Sequence, residues 1–127
     1  MTFVDHAEAE TAINGKAEAL HTHTGADLVA YTFRTITANY TLTSSDEDGV
    51  ILYVTASSGV TITLPTGLNS GKIIPWVVAG TGAATFTAGS GATRDALGGT
   101  YTSAGQFSQG TILTRPTDAF LIGGNLA

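Results

Sequence analysis

Apolar and polar residues alternate with a period of two from Val29 onward, and this pattern restricts the fold more than any other feature of the chain. Successive side chains of a strand point to opposite faces, so alternation marks a strand with one buried side. Val60-Thr61-Ile62-Thr63-Leu64, closed by Pro65, is the cleanest case. Residues 31–36, 40–42 and 84–88 read the same way. Residues 50–54 and 73–78 are instead continuous apolar runs of strand length, and Pro75 in the second predicts an edge position or a bulge. Asp46-Glu47-Asp48-Gly49, Ser57-Ser58-Gly59, Asn69-Ser70-Gly71 and Gly80-Thr81-Gly82 supply turns. Residues 89–105 are glycine-rich and read as a long loop with a weak strand at Tyr101. Residues 107–113 and 119–122 read as a closing hairpin joined across Arg115 to Asp118. About seven or eight short strands at roughly 8–12-residue spacing predict a mainly β domain, a small sandwich or barrel-like fold. Its expected core is Val54, Ile62, Leu64, Trp76, Val78, Phe86, Ile112 and Leu121.

Residues 1–28 have a different composition, rich in Ala and Glu, which favours helix. Phe3, His6, Glu10, Ile13, Ala17 and Leu20 follow the 3-4-3-4-3 spacing of a heptad seam with polar interruptions. Asn14-Gly15 interrupts it, so two short helical pieces with a bend are expected rather than one rod. Helices this short are marginal alone and need neighbouring chains or a docking surface. The chain therefore divides into a helical stem or attachment segment, 1–28, and a β-domain, 29–127.

Charged residues make up only 12% of the 127-residue chain, about half the usual 25%. Exposed surface must then be covered by Thr, Ser, Asn and Gly, which suits a subunit that hides surface against copies of itself. Net charge is −5, and the five basic residues, Lys16, Arg34, Lys72, Arg94 and Arg115, are scattered. Nucleic-acid binding needs a basic patch, so it is not expected. Without cysteine there is no disulfide or thiolate chemistry. Residues 1–8 have neither a basic nor an apolar region of the kind a signal peptide carries. No apolar run approaches the roughly 18 residues a membrane span requires.

His21-Thr22-His23 is the sharpest chemical motif. In an extended segment both imidazoles point one way, and three such pairs around an axis would offer six nitrogens to one transition-metal ion per trimer. The alternative, which we favour, is a pair of hydrogen-bonded linker histidines, and no cofactor is required. Asp46-Glu47-Asp48-Gly49 lacks the 12-residue pattern of a calcium loop and reads as a solvated turn. Gly80-Thr81-Gly82 and Gly89-Ser90-Gly91 neither open a helix nor carry a lysine, so they read as turns rather than phosphate loops. All three histidines lie in the stem, which leaves the serines and threonines of the β-domain without an imidazole base. Its carboxylates, Asp46, Glu47, Asp48, Asp95 and Asp118, sit mostly in turns, with nothing to set two of them against one bond. A non-enzymatic protein is expected.

The stretch from Ala12 to Leu28, AINGKAEALHTHTGADL, resembles a recurrent segment of phage tail-fibre and related virion proteins. In these a short helical piece runs into His-Thr-His-Thr and then into β structure. Tyr40 to Thr43, Asp48 to Ile51, Val60 to Pro65, Ala84 to Gly91 and Asp118 to Leu126 resemble a β module appended to many tailed-phage structural proteins. The resemblance implies a homotrimer, an N-terminal stem docking on a capsid or tail protein of the same particle, and an exposed β-head. It also implies a virion location after assembly in the host bacterial cytoplasm. The short chain favours a capsid decoration protein, a head fibre or a small tail-fibre component. The alternative function is a carbohydrate-binding adhesin head that meets a host-surface glycan.

Overall fold

The alternating segments become strands, joined in an order that alternation by itself does not specify. In the computed structural model, which describes residues 30–127, the strands are β1 Thr32–Ile36, β2 Tyr40–Thr41, β3 Val50–Val54, β4 Val60–Leu64, β5 Ile73–Val78, β6 Ala84–Ala88, β7 Thr93–Ala96, β8 Gln109–Arg115 and β9 Ala119–Gly124. The protein is mainly β, with two stacked sheets. The stem positions Phe3, His6, Glu10, Ile13, Ala17, Leu20, His21 and His23 lie outside the described residues.

The first six strands alternate between the sheets. β1, β3 and β5 lie side by side in one and β2, β4 and β6 in the other, and each of these pairings is parallel. The chain therefore winds, two strands to a turn, each turn laid against the one before. From the second turn to the third the offset is 24 residues in both sheets, with Val54 opposite Val78 and Val60 opposite Ala84.

The winding ends at β8, which runs antiparallel to β5 and returns as β9. The hairpin expected at 115–118 forms, with Arg115 opposite Ala119 and with Thr117 and Asp118 at φ 50° and 53°. β7, earlier in the chain, closes the six-stranded sheet beyond β9 in the order β1-β3-β5-β8-β9-β7.

The core fills the space between the sheets. Val54, Ile62, Leu64, Trp76, Val78, Phe86 and Ile112 are all fully buried, as their alternation predicts. Trp76 and Phe86, from opposite sheets, meet with ring centroids 5.1 Å apart, a contact that adds to the area each ring buries. Leu121 is a correction to the expected core. β9 buries Phe120 and Ile122, and the strand period turns Leu121 outward.

Three further expectations change. β5 is an interior strand despite Pro75. Val78 N–H donates to Ser108 on the β8 side and Ala79 N–H to Val54 on the β3 side, so position 75 faces β3, whose pairing begins only at Trp76. The missing N–H thus removes no bond from a formed ladder. Within the expected 89–105 loop, Thr93–Ala96 forms β7, while Tyr101 stands beside the isolated bridge from Thr85 to Thr102. Phe107 is not in a strand. It has φ 70° and is exposed, and β8 begins at Gln109.

Candidate functional site: two unlike outer faces

Each sheet has one face on the core and one turned away from it, and the two outer faces differ in chemistry. On the three-stranded sheet the outer positions are threonines. Thr41, Thr63 and Thr87 form one row across β2, β4 and β6, and Thr61 and Thr85 form the next. The row extends past β6, where Thr85 and Thr102 share a hydroxyl hydrogen bond of 3.0 Å.

On the six-stranded sheet apolar residues occupy most outer positions of β3 and β5 and meet Thr35, Gln109, Thr111, Asp95 and Arg115 on the neighbouring strands. Phe33 lies opposite Ile51, Tyr53 opposite Val77, Ile73 opposite Leu113, and Leu113 opposite Leu121. The Phe33 and Tyr53 rings pack at 4.9 Å between centroids. Even so, Phe33 remains 64% exposed, Ile73 57% and Leu121 39%. The patch arises from the two continuous apolar runs of the sequence. VILYV and IIPWVV alternate buried with half-buried or exposed positions, yet both sets are apolar, which is the pattern of strands covered on both sides.

Ionised groups lie away from the middle of this face. Asp95 and Arg115 pair at 2.6 Å across β9, near one rim. Lys72 and Asp48 pair at 2.9 Å just before β5 and β3 begin. The Asp48 carboxylate, through its hydrogen bond and then its charge, raises the Lys72 pKa above the usual lysine value.

The acidic turn 46–49 is not the solvated turn its composition suggests. Asp46 and Glu47 are both buried. The Asp46 carboxylate accepts from Arg34 Nε, from Tyr40 Oη at 2.7 Å and from Thr43 N–H at 2.9 Å. Glu47 accepts from Asn69 N–H at 2.7 Å and from Asn69 Nδ2 at 2.8 Å. Each carboxylate serves a different part of the fold, and among the described residues no group of three or more potential metal ligands converges. Asp46 raises the Arg34 pKa, first by hydrogen bonding and then by charge. Burial, followed by the Asp46 hydrogen bond, raises the Tyr40 phenol above its ordinary value.

The remaining described cation, Arg94, lies over the Tyr101 ring at 3.9 Å and donates to the Phe86 carbonyl. Gly80 and Gly82 sit where the β5–β6 turn crosses the β3–β4 turn. An added Cβ would come within 2.3 Å of the Ala56 carbonyl oxygen at Gly80 and 2.0 Å of that of Ser58 at Gly82, so these glycines allow close stacking of backbone. Among the described residues no helix is long and apolar enough to cross a membrane. The expected core takes only Val54, Trp76 and Val78 from the two apolar runs and assigns no role to Tyr53, Ile73 and Val77, so the apolar outer face is not legible before register sets the runs side by side. Comparison with known protein families, with curated proteins and with solved structures finds no match to the chain.

Proposed function

We propose that the chain is a non-enzymatic structural subunit of a tailed-phage particle, a capsid decoration protein, head fibre or small tail-fibre component. It docks by its N-terminal stem and displays a homotrimeric β-head. The observation that carries this reading is the exposed apolar face of the six-stranded sheet, on a domain whose described cations are each engaged by a carboxylate or an aromatic ring. An exposed apolar patch of this kind is often functional, and association is the use it favours here. The resemblance of residues 12–28 and of the β segments to virion proteins supplies the setting, and the heptad-like spacing of residues 3–20 supports association of stems. The regular threonine rows of the other outer face favour a displayed, solvent-facing surface over a ligand groove.

Sedimentation of the full chain tests the proposal. A mass three times that of the 12.9 kDa chain is expected at micromolar concentration, and a stable folded monomer there overturns the reading.

A further inference from the structure

We infer that the outer face of the six-stranded sheet is the surface by which copies of this chain meet one another, through Phe33, Tyr53, Ile73, Val77, Leu113 and Leu121. The inference rests on the proposed self-associating subunit and names the contact that holds it together.

Size is the first argument. Six strands at about 4.8 Å spacing, each about five residues at roughly 3.3 Å, make a face of about 450 Å². Its apolar part is at most about this size, within the roughly 300–600 Å² of the largest apolar patch on a monomer, and such patches are often functional. It is about half of the roughly 800 Å² per partner that a stable pair buries, so the face works together with a second contact in the same assembly. The heptad-like spacing of residues 3–20 provides the sequence for one.

Charge supplies the second argument, and it selects a second copy as the occupant. When this face is turned to the threefold axis of the proposed trimer, a charge in its middle is brought near its own copies. A chain of net charge −5 can meet itself most easily on a face without ionised groups at its centre. Here the pair Asp95–Arg115, with Asp95 beside Leu121, lies near the rim and is neutral as a pair, and the positions between are aromatic, aliphatic, Thr, Gln, Pro and Gly. Phe33 and Tyr53 supply the aromatic anchors on which association energy concentrates.

Continuity supplies the third. Residues 1–30 join the β-domain at Tyr31, itself 56% exposed, two residues before Phe33. By chain connectivity alone, association through residues 3–20 would raise the effective concentration of this edge about its copies.

The test is sedimentation of the full chain carrying Phe33→Lys or Ile73→Lys, with Thr63→Lys on the opposite outer face as an equal-charge control and circular dichroism to verify folding. Both positions are largely exposed, so the fold tolerates them. Each face variant is expected to weaken association by about 30-fold or more, as loss of an interface anchor does, while Thr63→Lys associates like the parent. A parent that is a monomer overturns the functional reading and this inference together. A parent oligomer that survives both face variants overturns the inference alone, as does equal dissociation by Thr63→Lys. Because the chain has no cysteine, Val77→Cys gives a second readout. Cross-linking between copies is expected for it and not for Thr87→Cys, and the reverse result overturns the assignment.

Discussion

At the scale of single residues, the acidic turn shows what composition conceals. Asp46 has no exposed side-chain surface and accepts from Arg34, Tyr40 and Thr43, so it ties β1, β2 and the connection to β3 into one end of the winding. Tyr40 gives this arrangement a measurable pH dependence. Its folded-state pKa is raised by burial and by the bond to Asp46. Below the ordinary phenol value, about 10, both folded and unfolded chains hold the proton and the contribution is complete. Above it the unfolded chain ionises first, so stability falls as pH rises through the raised value. Denaturation at a series of alkaline pH values should show this loss, and Tyr40→Phe should flatten it relative to the parent. At neutral pH the same substitution should cost about 1.5–3 kcal/mol for a bond to a charged acceptor. Identical alkaline slopes for the two proteins would refute the assignment.

At the scale of elements, the β8–β9 hairpin depends on glycine opposite an indole. A Cβ at Gly110 would stand 1.9 Å from the Gly123 carbonyl oxygen and 2.6 Å from the Trp76 ring. Gly110→Ala is therefore expected to destabilise by about 1–3 kcal/mol, as overpacking does, and urea unfolding measures it. A midpoint equal to the parent's would show that the hairpin shifts freely on β5. The elements that were legible in the sequence share one property, apolar residues on the buried side of every second position. β3, β4, β5 and β6 have it and were bounded correctly. β7, Thr-Arg-Asp-Ala, lacks it because its sides are only partly covered, so its sequence reads as loop. Strand partners were not legible, since alternation fixes which side is buried and not which strand is adjacent. One clue was present: VTITL recurs as ATFTA 24 residues on, the period at which β6 stacks on β4. The apolar outer face was visible only once register placed VILYV beside IIPWVV.

At the scale of the whole molecule, the stem remains a reading of sequence, and His21-Thr22-His23 is its most testable part. We expect His21→Ala to cost about 0.5–1.5 kcal/mol, the worth of an ordinary hydrogen bond, with no change in melting temperature on adding chelator. A transition metal near one ion per three chains would reverse that expectation. The metal's stabilisation would then fade as pH falls below about 6.5, because ligation requires neutral imidazole. The β-domain has a polarity of its own. Among the described residues the parallel turns begin at β1 and β2, on which β3 and β4 are laid in parallel. At the other end the β8–β9 hairpin reverses direction, and the last edge is the four-residue β7 with Arg94 and Asp95, short and charged as strands that resist pairing are. A solenoid of this kind lengthens by whole turns. A further 24-residue turn inserted among the parallel strands would leave that terminator undisturbed, so the number of turns and the hairpin that ends them are separable features of the fold.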